Sequence, residues 1–132
     1  MSDTVRWKLR FENYCEALKT LEEIIPRYGE LSELEKDGLI QRFEFTFELT
    51  WKLLNVVVRE SGIEVYGPKN TFREAEKLGL IHNINVWFDF LYARNLSTHT
   101  YEEKTAEEVY KEAKLFCDAV EKLIVTTKFI TP

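Results

Sequence analysis

The chain has 132 residues, 45% of them hydrophobic and 14% aromatic, which is enough to bury one core and too few for two independent domains, so a single domain over residues 1–132 is expected. Eighteen Lys and Arg against 23 Asp and Glu leave a formal charge of −5, which excludes a general nucleic-acid coat and confines any RNA contact to a local cluster of cations. Cys15 and Cys117 form no CxxC and have no His pair nearby, and no apolar run approaches the roughly 18 residues of a membrane span, so zinc, a disulfide framework and a transmembrane helix are set aside.

The charged start, Met1 to Trp7, reaches no apolar stretch of the kind a secretory signal carries. A soluble, unprocessed cytoplasmic protein with core thiols is expected. Trp7, Phe11, Tyr14, Leu18, Leu21 and Ile25 then step by threes and fours, the seam of an amphipathic helix that Pro26 and Gly29 end. Ser32 and Glu35 have capping-box spacing and open the longest helix, with Leu39, Ile40, Phe43, Phe47, Trp51, Leu54 and Val58 on one stripe and Gly62 closing it. Phe45, Leu49 and Val56 fall off that stripe, so this helix needs two sets of neighbours, some of which a second subunit could supply.

After Gly67-Pro68 the spacing of Thr71 and Glu74 predicts a second capping box on a short helix that turns Phe72, Ala75 and Leu78 inward and stops at Gly79. Asn83 is the expected cap of the next helix, which carries Ile84, Trp87, Phe88 and Leu91 and runs to about Leu96. Thr100 and Glu103 predict a third capping box, and the last helix buries Ala106, Val109, Ala113, Phe116, Val120 and Leu123 before a tail from Thr126 to Pro132 that is expected to fray. Short connections between long helices imply antiparallel neighbours. The expected fold is therefore all-α, an antiparallel up-and-down four-helix bundle with one additional short helix.

The chemistry concentrates at the junction before the last helix, Arg94-Asn95-Leu96-Ser97-Thr98-His99-Thr100-Tyr101. On an unbroken helix, residues five apart point about 140° away from each other, so Arg94 and His99 converge only if the helix breaks between them and Thr100. A restart there sets His99 and Tyr101 beside free backbone N–H groups that suit phosphate, and Arg94 adds a bidentate clamp. His99 could take the proton of a 2′-OH or return one to the leaving oxygen while Arg94 stabilises charge on phosphorus, a route to RNA cleavage that needs no metal and no cofactor. One chain offers a single such His, so acid and base together are easiest to supply from two subunits facing a shared cleft. The plainer reading is that Arg94 offsets a helix dipole, His99 bonds a carbonyl, and Asn95 and Thr98 are ordinary helix-end residues.

Beyond spacing, the segment from Gln41 to Lys52, Gly67-Pro68-Lys69 with Phe72-Arg73-Glu74-Ala75, and Arg94-Asn95 through His99 and Tyr101 resemble the nucleotidyltransferase substrate-binding family, a compact branch of the HEPN superfamily. The last element reads R-N-x-x-x-H-x-Y, matching the superfamily's Arg–polar–x3–His signature with the tyrosine of its toxin members. The resemblance implies a homodimeric helical bundle paired with a separate minimal nucleotidyltransferase, often an RNase toxin whose enzyme partner silences it. It assigns catalysis to Arg94 and His99, polar support to Asn95 and Thr98, and AMP acceptance from the partner to Tyr101. A phosphate-bearing group on that phenol would put negative charge where the RNA phosphate must go. The competing expectation is a non-catalytic substrate-binding subunit. The chain lacks the Gly-Ser and paired Asp of a nucleotidyltransferase, so it is not expected to transfer nucleotides itself.

Among the remaining polar residues, Glu44 and Glu48 read as a solvated face and no metal is assigned to them. Lys69 and Arg73 could extend a phosphate-binding surface but equally suit ordinary surface cations. His82 precedes a cap, and Trp7, Trp51 and Trp87 fall on core stripes.

Overall fold

The computed structural model describes residues 3–99 and 103–128, with side chains over 8–98 and 104–123. Five α-helices run in chain order: α1 Asp3–Ile24, α2 Glu33–Glu60, α3 Pro68–Lys77, α4 Ile84–Leu96 and α5 Glu103–Lys128. Two 3-10 turns, Ile25–Glu30 and Ser97–His99, join α1 to α2 and follow α4. No strand occurs among the described residues. The four long helices α1, α2, α4 and α5 make the antiparallel bundle and α3 is the additional short one; α2 touches all the other helices and is the axis of the fold.

The helix ends show which local signals act. Ser32 accepts the Glu35 N–H at 3.2 Å while Glu35 accepts the Ser32 N–H at 2.9 Å, so the first capping box forms as its spacing predicts. The second does not. α3 begins four residues earlier than that box would place it, at Pro68 behind Gly67, and Thr71 lies buried inside the helix with its hydroxyl donating to the Gly67 carbonyl at 2.7 Å. Pro68 wins because proline's fixed φ suits the first helical position and Gly67, at φ 77°, takes a backbone conformation that other residues avoid. The α3 stop at Gly79 follows the sequence: the Leu80 N–H reaches the Ala75 carbonyl at 2.9 Å and the Gly79 N–H reaches Glu76 at 3.0 Å, a Schellman closure with Leu80 tucked inward.

Asn83 occupies the cap position of α4, but its side chain makes no capping bond and its backbone is left-handed. Glu76 of α3 replaces it by accepting the Ile84 N–H at 3.0 Å. At the other end of the chain, α5 continues to Lys128, so Thr126 belongs to the helix rather than to the expected tail. Thr100 of the third predicted capping box, and residues 129–132, lie outside the described residues.

The core joins these elements through aromatic edges. Phe43 and Phe47 of α2, Phe72 of α3, Trp87 and Phe90 of α4, and Phe116 of α5 form a closed circuit with ring centroids 5.3–6.2 Å apart. Phe116 meets Phe43 and Phe90 edge-on at 83° and 84°, the arrangement the ring quadrupoles prefer. Beside this circuit, Tyr28 of the first 3-10 turn stacks on Tyr110 of α5 at 3.9 Å and 9°. Trp87 is buried as its stripe predicts, whereas Trp51 is half-buried and donates from Nε1 to Glu48. The side chain of Trp7 lies outside the described residues.

Candidate functional site

The last turn of α4 is where regular backbone gives way. Ser97 Oγ donates to the Arg94 carbonyl at 2.6 Å and Thr98 Oγ1 to the Asn95 carbonyl at 3.1 Å, so two hydroxyls satisfy carbonyls that a continuing helix would have bonded. The backbone tightens into the 3-10 turn Ser97–His99, and α5 is described from Glu103. The α-helix therefore ends between Arg94 and His99, and Ser97, which is buried, takes part in that change.

Arg94 leaves α4 toward α2. Its Nη1 lies 3.8 Å from Glu44 Oε2 and its Nε 3.6 Å from Glu48 Oε1, with the three side chains 26%, 29% and 38% exposed. These are ion-pair distances rather than hydrogen bonds, and the buried Nε has no hydrogen-bond partner. Glu48 is fixed from its other oxygen by Trp51 Nε1 at 3.2 Å. Two carboxylates one helical turn apart thus hold a guanidinium by charge while none of the described hydrogen bonds occupies its donors. The Nη donors, unlike the buried Nε, remain able to turn onto an anionic oxygen.

Glu44 and Glu48 also line an open groove on α2 with Gln41, Phe45, Leu49 and Lys52. Phe45 is 53% exposed there, in keeping with the second apolar face expected of this helix. A second hollow, between α4 and α5, is bordered by Asp89, Tyr92, Glu108, Lys111 and Glu112. Burial, and then the nearby Asp89, push the Glu112 carboxyl above its ordinary value. With three acids against Lys111 alone, that lining does not suit phosphate.

The sequence-predicted residues divide as follows. Arg94 is half-buried at the end of α4; Asn95 and Thr98 are exposed beside it, with the Thr98 hydroxyl turned back onto its own helix. His99 closes the 3-10 turn, but its side chain lies outside the described residues, as does the whole of Tyr101. The structure brings Arg94 together with Glu44 and Glu48, which the sequence alone assigns to a solvated face. Four-residue spacing on α2 was the available signal, but only the packing of α4 across α2 turns it into a site.

Elsewhere, His82 is exposed, Cys15 is half-buried and Cys117 is buried. Burial pushes the Cys117 thiol up to about 12, with Glu22, Asp118 and Glu121 adding to the effect. Among the described residues no three His, Cys, Asp or Glu gather as metal ligands would. None of the described helices is long and apolar enough to cross a membrane.

Residues 9–128 match the family model described as nucleotidyltransferase substrate binding protein like. Over 80 residues the chain is 35% identical to a protein of Haemophilus influenzae named probable ribonuclease HepT, a match that covers 57% of this chain and 55% of that relative's length. A crystal structure from Thermus thermophilus superposes with a TM-score of 0.77 at 32% identity, covering 86% of this chain and 97% of the other. A second structure, from Haemophilus influenzae and described as revealing the fold of a substrate binding domain of a nucleotidyltransferase, gives a TM-score of 0.75 at 26% identity, with 86% and 95% covered.

Proposed function

Because the chain belongs to the nucleotidyltransferase substrate-binding protein family, we propose that it is the HEPN-type partner subunit of a separate minimal nucleotidyltransferase and cuts RNA through Arg94 and His99. The observation that carries this reading is the Arg94 guanidinium, half-buried at the end of α4, flanked by two carboxylates and bound to neither by a hydrogen bond, five residues before the histidine. The name of the Haemophilus relative, probable ribonuclease HepT, supports the same chemistry.

In the proposed step Arg94 binds a non-bridging phosphate oxygen and neutralises the charge that develops as the 2′-oxygen attacks phosphorus. His99 accepts the 2′-OH proton or donates one to the departing 5′-oxygen, and the same groups of a second copy supply the complementary transfer. The α2 groove, with its exposed Phe45 beside the acid partners of Arg94, is the surface we assign to that second copy. AMP transfer from the nucleotidyltransferase to Tyr101 would silence the site by charge and bulk, the behaviour of a toxin under antitoxin control.

Purified protein is expected to cut RNA in EDTA and to lose that activity on Arg94→Ala or His99→Ala; equal cutting by both variants would refute the assignment. A second reading, a non-catalytic subunit that presents substrate to the nucleotidyltransferase, is favoured by the description of the Haemophilus structure as a substrate binding domain. It expects no RNA loss from the isolated chain and labelling of Tyr101 or of a bound third molecule by partner and ATP; labelling that persists in Tyr101→Phe would move the acceptor elsewhere.

A further inference from the structure

In a chain with five more acids than bases, one face around the start of α3 gathers cations and aromatic rings in a connected series. Arg59 of α2 lies over the Tyr66 ring at 4.9 Å, its guanidinium anchored by two hydrogen bonds to the Val65 carbonyl at 3.2 and 3.0 Å. The Tyr66 carbonyl accepts from Asn70 at 3.5 Å, and Asn70 Oδ1 accepts from Arg73 at 2.9 Å. Arg73 and Lys69 both approach the Phe88 ring of α4, at 5.6 and 6.0 Å.

Charge on this face is left largely uncompensated. The α3 acids are engaged elsewhere, Glu74 with Lys77 at 3.1 Å and Glu76 with the Ile84 N–H. Glu64, hydrogen-bonded by the Tyr66 hydroxyl, is the carboxylate tied into the series. Lys69 and Arg73 stand four residues apart on one helix, a like-charge spacing that costs stability, and neither is within ion-pair distance of a described carboxylate. Arg59, Lys69, Arg73 and Tyr66 are all exposed, Tyr66 by 64%.

We propose that this face, built from Arg59, Tyr66, Lys69, Arg73 and Phe88, is a binding surface for single-stranded RNA that holds the strand outside the site of cleavage. Cations that track phosphates, interleaved with an open ring on which a base stacks, are what an unpaired strand requires. A duplex hides its base faces and would leave Tyr66 unused. Phe88 and Arg94 are six residues apart on α4, about 9 Å of helix rise and about 120° around the helix, so a strand that touches both the patch and the end of the helix must curve part of the way around α4. The inference rests on the reading of the chain as an RNA-handling subunit and extends it to a region that reading does not use.

The test is fluorescence anisotropy of a labelled single-stranded RNA, 2′-O-methylated to prevent cleavage, titrated with the full chain over a range of salt. The double variant Lys69→Ala/Arg73→Ala is expected to bind at least about tenfold more weakly, with the slope of log K against log salt reduced by about 1.4, two phosphate contacts at about 0.7 each. Tyr66→Ala, at an exposed position, is expected to weaken binding about fivefold or more at an unchanged slope, because stacking releases no counterions. Wild-type affinity and slope in both variants, with circular dichroism confirming the fold, would overturn the proposal. So would intact RNA binding joined to loss of the dimer or of nucleotidyltransferase capture, which would make the face a protein contact.

Cleavage of unmodified RNA separates this inference from the reading beneath it. Cutting by wild type with unchanged KM in the double variant sinks the surface alone. Patch-dependent binding by a wild type that does not cut sinks the Arg94–His99 chemistry alone, and a raised KM at preserved kcat supports both.

Discussion

Arg94 sits between two carboxylates that approach it without hydrogen-bonding it, and the magnitudes indicate what such an arrangement is worth. Partly exposed pairs contribute about 0.2–1 kcal/mol each, so stability gives little reason for Glu44 and Glu48 to face this cation. Orientation is a stronger reason: α4 ends just beyond Arg94, and the acids on α2 hold the guanidinium by charge without hydrogen-bonding it. Their negative charge also opposes an incoming phosphate. Under the proposed RNA cleavage, the variant Glu44→Gln/Glu48→Gln is therefore expected to lower KM for RNA, because the phosphate meets less repulsion, and to lower kcat as Arg94 loses its bearing. Steady-state cleavage measures both; constants identical to wild type would reduce the pair to a surface contact. At this scale the sequence made Arg94 legible through its motif but not its partners, because spacing reports neighbours along one helix and not across two.

Helices were legible wherever a side chain and the backbone asked for the same thing. The stripe from Leu39 to Val58 and the box of Ser32 and Glu35 both formed, and the Ser32 N–H and hydroxyl hold the Glu35 carboxyl below its ordinary value. Reading failed where two start signals competed, at Thr71 against Gly67-Pro68, and where a cap came from another element, as Glu76 does for α4. The α3 start yields a measurable expectation. Gly67, at φ 77° and ψ 162°, occupies a region open essentially to glycine, and a Cβ built there would meet nothing within 4 Å. The cost of Gly67→Ala is thus backbone strain rather than collision, about 1–3 kcal/mol. Urea unfolding should show a lower midpoint at unchanged m. A variant as stable as wild type would mean that α3 can start by another path.

Across the whole molecule, periodicity foretold the bundle because burying each apolar stripe leaves few ways to pack five helices, and the aromatic circuit of α2, α3, α4 and α5 is the result. What no stripe foretold is the electrostatic cost of that core at high pH. Tyr14 on α1 and Cys117 on α5 are buried, and burial raises the phenol above 10.0 and the thiol from 9.0 to about 12; Thr50 opposes the shift at Tyr14, and acids near the thiol reinforce its rise. Both groups stay protonated in the fold at pH values where the unfolded chain would lose the protons. The folded state then binds more protons, so stability falls as pH rises. This contribution is fully present below about pH 9, declines through the window up to about 12 for Cys117, and from about 10 upward is joined by Tyr14. Denaturant unfolding from neutral to alkaline pH should show that decline, and Cys117→Ala should flatten its first part while leaving the later fall that belongs to Tyr14. The same buried thiol should resist alkylation at pH 8 until the protein unfolds. Rapid native labelling of Cys117, or an alkaline slope unaltered in the variant, would show that α5 does not seal this face of α1.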